Sequence, residues 1–121
     1  LIMEDETLTA IHLSDIVAKL GHEVVATADT ASKAIAAAAQ HKPDLVLADI
    51  QLAHGSSGID AVKEILHRGS VPVIFITAFP ERLLTGTRPE PTFLITKPFL
   101  RSTVKAAIAQ ALFFDAATVP A

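Results

Sequence analysis

The chain has 121 residues, half of them hydrophobic, a net charge of −3 and no cysteine. That length fits one domain and scarcely two. The acidic balance, with no Lys/Arg run, argues against nucleic-acid binding by bulk electrostatics; the lack of cysteine excludes a disulfide framework and a thiolate zinc site.

No apolar stretch approaches the roughly 20 residues of a membrane span. A cysteine-free chain fits a reducing compartment, so a cytoplasmic location with no membrane partner is the expectation. Short apolar runs alternate with stretches of helical period, the pattern of βαβ units. Residues 1–3 read as the stub of a first strand, short of the ~5 residues usual for a strand. This predicts a piece of a longer protein, or a chain whose first residues were trimmed. Residues 7–20 follow as a helix with Leu13, Ile16, Val17 and Leu20 on one stripe, stopped by Gly21. Residues 23–27 are the predicted second strand. Thr30 is placed to cap a second, alanine-rich helix that reaches about His41. Its alanines permit close packing on a sheet. After Pro43, residues 44–49 form the third strand, apolar as a strand covered on both faces should be.

The loop of small residues from His54 to Gly58 leads into a third helix over 59–67. Residues 71–76 are the fourth strand. The segment 79–84 has room for about a turn and a half of a short fourth helix before Gly86, Pro89 and Pro91 break it. Residues 93–96 are the fifth strand and 99–116 the last helix. Adjacent helix residues face different ways, so one of Phe113 and Phe114 belongs in the core and the other is an exposed docking contact. Strict alternation with right-handed crossovers predicts an α/β, flavodoxin-like (βα)5 doubly wound parallel sheet. Its strand order is 2-1-3-4-5, in one domain over 1–121.

Four of these strands end in chemically active side chains. Glu4 and Asp5 follow the first, Asp49 closes the third, Thr77 follows the fourth and Lys97 the fifth. In a parallel sheet these ends share one edge, where α/β sheets hold their ligands. With strands one and three adjacent, Glu4, Asp5 and Asp49 converge, and crowded carboxylates repel unless a cation intervenes. Mg²⁺ suits them, because it takes oxygen ligands and bridges carboxylate to phosphate. A carboxylate can itself be a nucleophile and form an aspartyl phosphate. Lys97 would pair with one phosphoryl oxygen, and the Thr77 hydroxyl with nearby N–H groups would take another.

Taken singly, each residue has an ordinary role. Asp49 makes a turn former, Glu4-Asp5-Glu6 a first-turn charge cluster and Thr77 a β-branched strand residue. His54 makes a solvated loop residue, although its charge changes near neutral pH. The signal lies in four such ends occurring together, while Thr27-Ala28-Asp29 at the end of the second strand lies outside the site. A reading from another class is hydrolysis with Asp49 as nucleophile, as in phosphatases of the haloacid-dehalogenase type. Those need a second aspartate two residues on as acid/base, where this chain has Gln51.

With these residues in hand, the whole chain resembles the response-regulator receiver domain. Asp49 stands at the phosphoacceptor position, and Glu4 and Asp5 at the metal-binding acidic pair. Gln51 stands where a backbone carbonyl helps hold Mg²⁺. Thr77-Ala78 matches the switch hydroxyl and its small neighbour, and Lys97-Pro98-Phe99 the lysine–proline–aromatic motif. The resemblance implies catalytic roles for Asp49, Thr77 and Lys97, and a metal set of Glu4, Asp5, Asp49 and Gln51. It further implies Mg²⁺-dependent phosphorylation of Asp49 by a histidine kinase or phosphotransfer protein. A conformational switch follows, with only slow self-dephosphorylation: a signalling domain, not an enzyme.

The stretches from Phe75 to Gly86 and from Arg88 to Phe99 are similar to the receiver of PhyR-type regulators of the alphaproteobacterial general stress response. In those proteins a sigma-factor-like domain precedes the receiver, and phosphorylation releases it to sequester an anti-sigma factor. The chain departs from ordinary receivers in three places. Leu52-Ala53 replace Met-Pro, the loop to Gly58 is one residue longer, and Leu94 stands where most carry Tyr or Phe. Output is therefore expected through repacking of residues 78–92 against a partner domain. A free-standing phosphorelay shuttle, a fragment of a DNA-binding regulator and a docking-only degenerate receiver are the alternatives.

Overall fold

The computed structural model describes residues 1–83 and 92–117. Strands β1 (Ile2–Met3), β2 (Thr27–Ala28), β3 (Val46–Ala48), β4 (Val73–Thr77) and β5 (Thr92–Thr96) form one sheet in the order β2-β1-β3-β4-β5, every pair parallel. This is the predicted flavodoxin-like order. Helices α1 (Thr7–Lys19), α2 (Ala31–His41), α3 (Gly58–Arg68) and α4 (Arg101–Ala117) alternate with the strands, together with short 3₁₀ turns at Ala53–Gly55 and Pro80–Leu83.

The period of two along a strand divides the apolar residues between two faces. Met3, Val46, Ala48, Val73 and Phe75 join Ala34 of α2 and Ala61, Val62 and Ile65 of α3 in one core layer. Ile2, Leu47, Ile74, Ile76 and Ile95 join Leu13, Ile16 and Val17 of α1 and Val104, Ile108 and Ala111 of α4 in the other. Both faces are covered, which is why the strands read as continuous apolar runs. Each large side chain so buried contributes ~1.5–3 kcal/mol relative to exposure.

The helices begin and end where local chemistry requires. Thr30 Oγ1 accepts the Lys33 N–H at 3.3 Å and Ser57 Oγ accepts that of Asp60 at 3.3 Å, capping α2 and α3. Gly21, at φ 89°, takes the chain out of α1 in a conformation that a β-carbon disfavours. No helix of the described residues is long and apolar enough to cross a membrane.

The structure corrects two boundaries. The second strand, expected at 23–27, pairs only at Thr27–Ala28: the register sets Ile2 opposite Thr27 and Met3 opposite Ala28, so residues 23–25 have no ladder partner. The expected short fourth helix is a 3₁₀ turn over Pro80–Leu83, with Gly86, Pro89 and Pro91 outside the described residues. Phe113 is exposed, at 69 %; the Phe114 side chain lies outside the described residues, so the expected division of the pair is observed only for Phe113.

Candidate functional site

Backbone ladder bonds bring the strand ends together. The Glu4 N–H donates to the Ala28 carbonyl at 2.9 Å, that of Asp49 to Met3 at 2.9 Å and that of Lys97 to Thr77 at 2.8 Å. These bonds set the Cα positions of the acidic residue after β1, the carboxylate after β3 and the lysine after β5 on one edge. Glu4, Asp49 and Thr77 are buried, whereas Asp5 is exposed. Adjacent residues after a strand point to opposite sides, so one acid of the pair faces the interior and its neighbour faces water.

Lys97 is the centre of the charge network. Its Nζ lies 2.8 Å from Asp49 Oδ2 and 2.9 Å from Glu4 Oε2. The other oxygen of each acid is also held: Ile50 N–H donates to Asp49 Oδ1 at 2.6 Å and Glu6 N–H to Glu4 Oε1 at 3.1 Å. Burial pushes the Glu4 carboxyl above the ordinary carboxylate range against the opposing bonds from Lys97 and Glu6, and the Asp49 charge adds to the rise. For Lys97, burial works against the charged form, but the bonds to Asp49 and Glu4 outweigh it and hold the ammonium above the ordinary lysine range. Lys97 is therefore a fixed cation at neutral pH.

The donor set fits a hard divalent cation. Carboxylate oxygens of Glu4, Asp5 and Asp49 all lie within 4.8 Å of one another, with no nitrogen or sulfur donor in the group. Gln51, two residues past Asp49, is exposed and forms an isolated antiparallel bridge with Ser57. Thr77 is wholly buried; its Oγ1 accepts the Phe79 N–H at 3.0 Å, which leaves the hydroxyl proton available to a further acceptor. All the expected residues thus reach one edge, while Asp29, past β2, pairs with Lys33 at 3.1 Å outside the cluster, as the topology requires.

Sequence reasoning passed over two residues. A β-carbon at Gly58 would overlap the Asp49 carbonyl, and its own N–H donates to the Ile50 carbonyl at 2.6 Å. Ser56 bonds across to α2 through its hydroxyl. The small-residue loop ahead of the third helix was the signal for both, because close backbone approach requires glycine.

Comparison with known proteins agrees with this geometry. The model of the response regulator receiver domain matches residues 1–109. The phyllosphere-induced regulator PhyR of Methylorubrum extorquens is 58 % identical over 116 residues, which are 95 % of this chain and 43 % of that protein. The solved receiver domain of PhyR from Erythrobacter litoralis is 64 % identical with a TM-score of 0.88, covering 93 % of this chain and 88 % of that one. PhyR from Bartonella quintana, solved in complex with the anti-sigma factor NepR, is 62 % identical with a TM-score of 0.62, covering 93 % of this chain and 46 % of that one. The chain thus spans less than half the length of the curated PhyR that it matches. Parallel topology, an acid pair beside a third carboxylate, and a lysine across the edge all coincide with that match, and the chain belongs to the response regulator receiver domain family.

Proposed function

We propose that this domain is a phosphoacceptor switch in which Asp49 takes a phosphoryl group from a histidine kinase or phosphotransfer protein. The observation that carries the reading is the Lys97 ammonium 2.8 Å from Asp49 Oδ2, inside a cluster of three carboxylates. One Asp49 oxygen attacks phosphorus; the bond from phosphorus to the donor's histidine nitrogen breaks, and that nitrogen keeps the electron pair. Ile50 N–H fixes Oδ1, so Oδ2 is the oxygen presented beside the ammonium. Lys97 then pairs with one phosphoryl oxygen, and the Thr77 hydroxyl donates to another.

Mg²⁺ held by Glu4, Asp5, Asp49 and the Gln51 carbonyl would supply charge neutralisation for the phosphoryl group. Hydrolysis by Asp49 is disfavoured, because the position two residues on is Gln51 rather than an acid/base aspartate. The domain is thus a signalling element with slow self-dephosphorylation, acting in the cytoplasm.

Similarity to PhyR supports a place in a longer regulator, with a sigma-factor-like domain as the switched partner and an anti-sigma factor as the target. Output would travel through Thr77: its hydroxyl holds the Phe79 N–H, so drawing it toward a phosphoryl group releases the start of the 78–92 segment. Residues 84–91 of that segment lie outside the described residues.

Intact mass after incubation with Mg²⁺ and a small-molecule phosphodonor tests the reading. One added phosphoryl group, absent without Mg²⁺ and in Asp49→Asn, is the expected result. No added mass in a folded parent would leave a docking-only receiver.

A further inference from the structure

Two departures from the ordinary receiver pattern fall in the loop after Asp49, and the function above uses neither. The first is Ala53, where ordinary receivers carry proline. Alanine has the N–H that proline lacks, and this one donates to the Asp29 carbonyl at 2.8 Å. The second is the extra residue before Gly58. His54 and Gly55, at φ 59° and 70°, turn the chain back so that Ser56 meets Ala53. The Ser56 hydroxyl donates to the Ala53 carbonyl at 2.9 Å and accepts the Ala31 N–H at 3.1 Å. Ala31 opens α2, where an N–H has no partner within its own helix.

Both bonds therefore run from the loop to the turn between β2 and α2, and between the loop's two ends sits Gln51. Its pairing with Ser57 is flanked by Gly58 N–H to the Ile50 carbonyl at 2.6 Å and Leu52 N–H to the Ser56 carbonyl at 3.0 Å. Gln51's own carbonyl takes no part in either bond. A carbonyl ligand on a free loop must be ordered when the metal binds, at a cost in backbone entropy. A loop already tied at both ends avoids most of that cost.

We propose that the Ala53 N–H and the Ser56 hydroxyl latch the Gln51 loop to the N-terminus of α2, making Ser56 a positioning residue for metal binding. This rests on the reading of the acidic edge as a Mg²⁺-dependent phosphoacceptor site. The latch links the site to a helix that carries none of the site's side chains.

Calorimetric titration of the full 121-residue chain with Mg²⁺ tests it, with hydrogen exchange at the Ala31 amide followed in the same samples. Ser56→Ala and Ala53→Pro should each weaken Mg²⁺ binding about tenfold, the lower end of the loss when an outer-shell partner is removed. Ser56→Thr keeps the hydroxyl and Ala53→Gly keeps the N–H, and both should bind like the parent. A merely structural role would lower the melting temperature without this split between conservative and disruptive variants. Mg²⁺ binding at parental affinity in Ser56→Ala and Ala53→Pro, with faster exchange at Ala31, would overturn the latch alone. Where Ser56→Ala does not fold, Ala53→Pro against Ala53→Gly decides. A parent that neither binds Mg²⁺ nor takes a phosphoryl group would overturn the phosphoacceptor reading and the latch together.

Discussion

The segment after β3 and the segment after β4 leave the same edge of the sheet, yet they are held in different ways. Residues 50–57 are tied to a distant turn by the Ala53–Asp29 and Ala31–Ser56 bonds, and their ends are drawn together by bonds from Leu52 and Gly58. Among the described residues, 78–83 bond locally: Phe79 N–H to the Thr77 hydroxyl and Arg82 N–H to the Phe79 carbonyl at 3.2 Å, with the Arg82 guanidinium over the Phe79 ring. Bonds that reach across the chain hold a loop against rigid elements; bonds within a turn travel with it. Under the proposed function, the first segment would keep the Gln51 carbonyl in place beside the acidic edge. The second is anchored at its far end by Leu83, buried in the core, and at its near end by the Thr77 hydroxyl, which a phosphoryl group would recruit.

Lys97 joins the two sides, through Nζ to Asp49 and through its backbone N–H to Thr77, so its removal should have the largest effect. Lys97→Met leaves the Glu4 and Asp49 carboxylates facing each other and should destabilise the metal-free protein by about 3 kcal/mol, the lower end for breaking a buried pair. Chemical denaturation measures the loss, and Mg²⁺ should recover part of it. In the parent, a lysine raised above its ordinary 10.5 contributes stability through neutral pH. That contribution should fade only as pH rises past 10.5 through the folded-state value.

Gly58→Ala attacks the held side. The added methyl would overlap the Asp49 carbonyl, at an expected cost of about 2 kcal/mol by overpacking. Phosphoryl uptake should fall with it, because Asp49 must shift. Parental stability and uptake in this variant would show that the tight loop is incidental to the site.

Thr77→Ala attacks the other side. Losing the acceptor of the Phe79 N–H should cost about 1 kcal/mol, with faster hydrogen exchange at Phe79 and unchanged exchange at Ala31. Faster exchange at both amides would dissolve the contrast between the two segments.

The smallest effects concern charge. Burial raises the Glu4 carboxyl above its ordinary 4.5, so its contribution to stability is full below 4.5 and lost as pH rises through the folded-state value. Glu4→Gln should flatten that part of the pH–stability curve of the metal-free protein. Asp15, beyond the site, is held below its ordinary 3.8 by Arg101 on α4 and by Lys19. Its contribution is present above 3.8 and lost as pH falls through the lowered value; because the pair is exposed, Asp15→Asn should barely move the midpoint at neutral pH.

Much of the molecule was legible in the sequence. The fully apolar runs at 45–48 and 73–76 have the length and pattern of strands covered on both faces, and in a parallel sheet the polar residue closing each run falls on one edge. The same logic predicts that Glu4, Asp5, Asp49, Thr77 and Lys97 meet at that edge. Boundaries were less legible. The sequence predicts the second strand at 23–27, whereas its extent is set by how far β1 reaches alongside it. The turn at Pro80–Leu83 was read as a helix because a short segment tightens to 3₁₀ without changing its sequence signal.

Order along the chain and alternation of apolar runs are local properties, and the sequence by itself therefore determined the fold class and the residues of the acidic edge. Three things belong to the tertiary structure: which of Glu4 and Asp5 is buried, that one ammonium serves both Glu4 and Asp49, and that Ser56 reaches Ala31. Each depends on distances between residues far apart in the chain: 93 positions for Lys97 and Glu4, 25 for Ser56 and Ala31. Only packing of the whole sheet sets such distances, to the few tenths of an ångström that a hydrogen bond needs.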